Sequence, residues 1–136
     1  MPDWWRRYTE RESRADVEVI CEMIRRGYGR YLKSQFPMKF DFEKDGVHGT
    51  IIDLFWGHPI NHAVFLDGPP HNSVHQARID ELVTEALERR GITVQRIPYD
   101  PPRSKREKRL IYQRICDEIE EALRHRLPAI DRIPRC

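Results

Sequence analysis

Apolar residues recur along the chain with two different periods, and the switches between them mark the elements. Val17, Ile20, Cys21, Ile24 and Tyr28 follow helical spacing behind Thr9 and Glu12, which have the form of a capping box. They predict a helix over roughly residues 10 to 28, closed near Gly27 or Gly29. Phe40 and Phe42 then alternate with polar neighbours, Asp45-Gly46 is a hairpin turn, and Val47 to Phe55 is β-branched and apolar, which predicts two antiparallel strands. The unbroken run Ala63-Val64-Phe65-Leu66-Asp67 predicts a central strand buried on both faces.

Ile79, Leu82, Val83, Ala86 and Leu87 fall on one stripe of a second helix that stops at Gly91, and Ile92 to Ile97 follows as a short strand. Tyr112, Ile115, Cys116, Ile119, Ala122, Leu123 and Leu127 line one side of a last helix, over about 104–127, that Pro128 ends. The predicted order is α-β-β-β-α-β-α. A hairpin, a further strand and a helical crossover to a fourth strand make an α/β domain with a mixed central sheet flanked by helices.

A length of 136 residues predicts one domain over 1–136, with its core over about 10–99, and at 39% hydrophobic and 34% charged residues the chain is polar but foldable. The net charge of +2 is too balanced to signal a nucleic-acid binder, so any basic surface must be local. Cys21, Cys116 and Cys136 are odd in number and lack zinc or redox spacing, which fits a reduced, cytoplasmic setting. No run of about 18 apolar residues appears, so no membrane span is expected. His48, His58, His62 and His75 show no zinc pairing and read as surface or turn residues.

Two acids stand where strands end. Asp53 interrupts the apolar strand Thr50 to Phe55, and Asp67 closes the next one; carboxylates so placed can converge on one divalent ion, Mg²⁺ or Mn²⁺, which activates water for phosphodiester hydrolysis. His71, just past the strand, suits a general base or metal ligand, and Asp80 lies beside the apolar stripe of the following helix. Arg103, Lys105, Arg106, Lys108 and Arg109 form a basic run at the loop leading into the last helix, suited to phosphates. Lys33, Gln35 and Lys39 lie before the hairpin as candidate contacts to a nucleic-acid backbone, and Trp4 and Trp5 with Arg6 and Arg7 could stack on bases or pack an N-terminal arm against the body.

In the order of these pieces, Gln35-Phe36-Pro37, Ile52-Asp53-Leu54, Leu66-Asp67-Gly68-Pro69-Pro70-His71 and Gly91 to Ile97, the chain resembles the very-short-patch-repair-like branch of the PD-(D/E)XK nuclease superfamily, over about residues 12 to 99. The Asp67 to His71 stretch is also similar to the strand end of the RAP domain. The resemblance implies a restriction-endonuclease-like core and a metal-dependent DNA endonuclease or nicking enzyme. It places Asp53 at the family's metal-binding aspartate and Asp67 at its second acid, with both holding the metal.

Relatives in this branch add an acid from the first helix, a His and a further Asp. Here His71 and Asp80 fill the last two roles, and Glu18 is preferred over Asp16 and Glu22 for the first. One departure stands out: the glutamate expected two places before Asp67 is Phe65, which implies either a rearranged site or a nuclease fold that binds DNA, or less readily RNA, without cutting it, alone or as a subunit of a larger assembly. Domains of this kind often pair as homodimers to cut both strands.

Overall fold

A computed structural model describes residues 14–44, 46–68 and 74–126. Its elements are α1 (Arg14–Arg25), β1 (Leu32–Lys44), β2 (Val47–Trp56), β3 (His62–Asp67), α2 (Val74–Arg89), β4 (Thr93–Pro98) and α3 (Lys105–Arg124). The four strands form one sheet in the order β1-β2-β3-β4. The first three run antiparallel in sequence, and β4 lies parallel to β3 after the α2 crossover. This is the mixed α/β sheet that the sequence predicts.

The sheet separates two apolar clusters. On β3, Val64 and Leu66 join the cluster of Val19 and Met23 from α1 and Ile115, Cys116, Ile119 and Leu123 from α3, whereas Ala63 and Phe65 join Leu82, Val83, Ala86 and Leu87 from α2. Strand alternation therefore places α1 and α3 on one face and α2 on the other. A nearly buried guanidinium clasps the two helices of the first face: Arg26 donates to Asp117 at 2.8 Å and to Glu22 at 3.1 Å.

Both α1 and α2 end in the same backbone device. Gly27 and Gly91 take positive φ, while Tyr28 N–H bonds Met23 O at 2.9 Å and Ile92 N–H bonds Leu87 O at 3.1 Å. That is a Schellman closure, which needs a left-handed residue and so favours glycine. Of the two glycines proposed to close α1, Gly27 does so.

The apolar stripe of α1 is rotated from its expected place. Val17 and Ile24 are 49% and 55% exposed and Cys21 is exposed, while Asp16, Val19 and Met23 are buried. Both stripes have helical spacing, and Asp16 breaks the apolar continuity of the true one. His62 also departs from expectation: it is buried in β3, between the Thr93 hydroxyl at 2.7 Å and Gln95 Oε1 at 2.9 Å.

The hairpin strand β1 begins at Leu32, so Lys33, Gln35 and Lys39 lie within it rather than before it. Its polar positions conceal it in the sequence, and Pro37, which cannot donate to a ladder, is tolerated because β1 is an edge strand. Most of the basic run likewise belongs to α3 itself. Ser104 caps that helix by accepting from Glu107 N–H at 3.1 Å, so Lys105 to Arg109 occupy its first turns.

Candidate functional site

β2 pairs with β3 at Trp56–His62, Phe55–Ala63 and Leu54–Val64. At the next position of β2 a side chain takes over from the ladder: Asp53 Oδ2 accepts the Leu66 N–H at 2.7 Å. The alternation of β2 slips at the same point, since Ile52 packs with Phe55 in the α2 cluster while Leu54 packs in the other. A carboxylate thus sits in the opening between two central strands.

Gln35 reaches the same place from β1. The register on either side, Ser34–Leu54 and Phe36–Ile52, sets Gln35 opposite Asp53, and Gln35 adopts a φ of 47°. That left-handed conformation is uncommon for a side chain larger than glycine and is tolerated where surrounding contacts hold it. Its Nε2 donates to Asp16 Oδ2 at 2.8 Å and to Asp53 Oδ1 at 3.4 Å.

One amide nitrogen therefore draws together carboxylates from α1 and β2. Asp16 is buried in the first turn of α1, where the positive end of the helix dipole favours an anion. Burial pushes the Asp53 carboxyl up to about 7, and the neighbouring Asp16 carboxylate pushes the same way. The Leu66 N–H and the Gln35 amide oppose this, and Asp67 adds a smaller push upward.

Asp67 and Asp80 belong to a second group, centred on Arg96 of β4. The guanidinium lies 3.3 Å from Asp67 Oδ1 and 3.7 Å from Asp80 Oδ1, and 4.4 Å from the centre of the Phe65 ring. Gln76 also donates to Asp80 at 2.9 Å. Burial raises the Asp67 carboxyl while Arg96 opposes it, and its side chain stays 40% exposed.

The acids predicted from sequence are thus divided between two clusters. Asp53 meets Asp16 through Gln35, and Asp67 meets Asp80 through Arg96. Glu18 turns away to an ion pair with Lys108 at 3.0 Å, so the first-helix acid beside Asp53 is Asp16. His71, and with it Trp4, Trp5, Arg6 and Arg7, lies outside the described residues.

The sequence places Gln35 among the candidate contacts to a nucleic-acid backbone, whereas its bridging role follows from the strand register. Asp16 carries an earlier signal, because it shares the i, i+3, i+7 face of Val19 and Met23. Among the described residues no three His, Cys, Asp or Glu side chains form a metal cluster. The Asp16–Asp53 pair instead offers two hard oxygen donors, which suits an ion that keeps several waters and binds through one or two carboxylates.

Replacing Gln35 by alanine removes a hydrogen bond that favours ionised Asp53. The Asp53 carboxyl of Gln35→Ala is expected to titrate about half a pH unit or more above the wild type. A carbon-detected NMR titration of the aspartate carboxyls checks this, and a midpoint at or below that of wild type would count against the bridge.

A scan with protein-family models and searches of curated proteins and of solved structures find no match to this chain.

Proposed function

We propose that this chain is a metal-dependent phosphodiesterase acting on DNA, an endonuclease or nicking enzyme on a restriction-endonuclease-like core. The observation that carries the reading is the Asp16–Gln35–Asp53 constellation, in which a helix acid and a strand acid meet in the opening between β2 and β3. The element order α-β-β-β-α-β supports the core, as does the resemblance of the motifs quoted above.

Asp16 and Asp53 are the residues that would hold Mg²⁺ or Mn²⁺. Bound there, such an ion supplies activation of water and neutralisation of charge on the phosphodiester. Gln35 keeps the two carboxylates together, and Leu66 N–H fixes one oxygen of Asp53 so that the other faces the amide. With its carboxyl near 7, Asp53 gives up a proton in the neutral range, so cation binding strengthens as pH rises through that value.

Arg96 holds Asp67 and Asp80 and leaves Asp67 partly open to solvent beside the strand end, where it remains a candidate second acid. His71 is the general base in this proposal. Lys33 and Lys39 on β1 and Arg103, Lys105, Arg106 and Arg109 around the start of α3 supply contacts for phosphates.

The Phe65–Arg96 stack favours a second reading, a fold that has kept nucleic-acid binding and lost cleavage, because a ring and a guanidinium stand where the resemblance expects a carboxylate. Plasmid nicking with Mg²⁺ or Mn²⁺ separates the two. The enzyme reading expects conversion of supercoiled plasmid to open circles, abolished in Asp53→Ala. Intact supercoiled and single-stranded DNA at high protein concentration, together with salt-dependent binding, establishes the second reading instead.

A further inference from the structure

An open groove of 460 Å³ runs between α1 and α3. Four cations, Arg25, Lys105, Lys108 and Arg109, and two carboxylates, Glu18 and Glu22, line it. Each carboxylate is already answered: Glu18 pairs with Lys108 at 3.0 Å, and Glu22 accepts from Arg25 Nε at 2.7 Å. Lys105 and Arg109 have no ionic partner among the described residues. The groove therefore carries an excess of two positive charges, both at the start of α3.

That placement is unfavourable for the isolated fold. The first turns of a helix carry partial positive charge, and cations there cost stability that anions would supply. An anion lying in the groove reverses the balance. Lys105 and Arg109 are four residues apart on one helix, a rise of about 6 Å, close to the separation of successive phosphates along an extended strand.

Tyr112 forms another part of the wall. Lys108 Nζ lies 5.7 Å from its ring centre, and the tyrosine packs against the α1–α3 core. Glu18, which lines the groove, is two residues from Asp16 on α1, so the groove begins beside the helix acid of the carboxylate site. The backbone agrees: α3 follows β4, whose last residue, Pro98, pairs with Asp67, next to Leu66, whose N–H binds Asp53.

We infer that this groove receives one unpaired strand of a polynucleotide, with Lys105 and Arg109 on neighbouring phosphates and Tyr112 against a base, and delivers it to Asp16 and Asp53. The delivery half rests on the phosphodiesterase reading above; the binding half does not. A basic groove with an aromatic wall is how proteins hold single strands without reading sequence. A volume of 460 Å³ lies in the range of sites that hold a small ligand and has room for a nucleotide unit.

Fluorescence anisotropy in EDTA tests the groove without cleavage, using a labelled DNA hairpin with an overhang of about ten nucleotides and the same hairpin blunt-ended. In Lys105→Gln/Arg109→Gln, whose altered side chains are exposed or partly so, the salt slope for the overhang hairpin is expected to fall by about 1.4, two phosphates at about 0.7 each. Tyr112→Leu should weaken overhang binding about tenfold, Tyr112→Phe should restore it, the blunt hairpin should lose clearly less than the overhang hairpin in each groove variant, and a Lys44→Gln control should bind both as wild type does.

Equal losses on blunt and overhang hairpins, or wild-type overhang binding by the double variant, overturn the groove assignment. If the wild type nicks plasmid while the groove variants bind overhangs normally, the groove falls and the phosphodiesterase reading stands. If overhang binding depends on the groove and no DNA is cut, single-strand binding stands and delivery to a cutting site falls with the phosphodiesterase reading. Absence of any nucleic-acid binding by the wild type removes both.

Discussion

Asp53→Asn is expected to be both more stable and inactive. The folded protein holds the Asp53 carboxyl at about 7, against an ordinary value of 3.8, so between those pH values the folded state binds a proton that the unfolded chain has released. The stability linked to that proton is fully present below about pH 4 and is lost as pH rises through 7. At 1.36 kcal/mol per pH unit the difference is on the order of 4 kcal/mol.

An asparagine has no such charge to bury. It keeps an acceptor for the Leu66 N–H and gives up the long 3.4 Å contact with Gln35, so a net gain of about 2 kcal/mol is expected at pH 8 in metal-free protein. Thermal denaturation should place the variant roughly 8 °C above wild type at pH 8 and show the advantage shrinking toward pH 5. On the phosphodiesterase reading proposed above, nicking should fall on the order of 10³-fold, because a neutral amide holds a divalent ion far less well than a carboxylate. A variant that is less stable than wild type at pH 8, or that keeps its nicking rate, contradicts the placement of the charge.

How much of this was legible beforehand follows from which physical signals are local. The elements β3, α2 and α3 announce themselves because their apolar residues keep one period without interruption, and they lie where Ala63 to Asp67, Ile79 to Leu87 and Tyr112 to Leu123 predict. The face of α1 was misread because its buried side contains Asp16, a residue that lowers the apolar signal of the correct stripe while an exposed stripe of Val17, Cys21 and Ile24 imitates it. A buried carboxylate is the feature that a hydrophobicity pattern is least able to find.

The division of the acids was hidden for a different reason. Asp67 closes β3 as expected, whereas Asp53 lies inside β2 three residues before its end, and the partners of both come from residues distant in sequence: Gln35 across the β1–β2 pairing, and Arg96 across the parallel β3–β4 pairing. In the sequence Arg96 reads either as a residue of the resembled family's last strand or as half of a structural ion pair, and the structure pairs it with Asp67 and Asp80. Its position opposite Phe65 in the β3–β4 register accounts for how a ring came to be matched with a guanidinium.

Trp56→Ala should act in the opposite direction to Asp53→Asn and through the frame alone. Trp56 is fully buried at the end of β2, in the cluster shared by α1 and α3, and its indole Nε1 donates to Tyr28 O at 2.8 Å. Tyr28 follows Gly27 and its N–H makes the closing bond of α1 to Met23 O, so this one indole fixes the helix end to the sheet as well as filling the core. Truncation removes a large aromatic volume, about 3–5 kcal/mol, and leaves the Tyr28 carbonyl without its donor, about 1–3 kcal/mol more if no water reaches it.

Against a total stability of about 5–15 kcal/mol, a loss of this size lowers the melting temperature by roughly 15 °C or more at about 4 °C per kcal/mol. Trp56→Phe keeps most of the volume and loses only the N–H, so a fall of roughly 4–8 °C is expected from it. Because Gln35 and Leu66 hold the carboxylate pair while the indole bonds Tyr28, the Phe variant should keep the divalent-ion affinity that the phosphodiesterase reading assigns to that pair, measured calorimetrically well below its melting temperature. Loss of that affinity in a folded Trp56→Phe protein would show that the carboxylate pair depends on how the far end of α1 is anchored, through a rigid helix that transmits the shift from Tyr28 to Asp16.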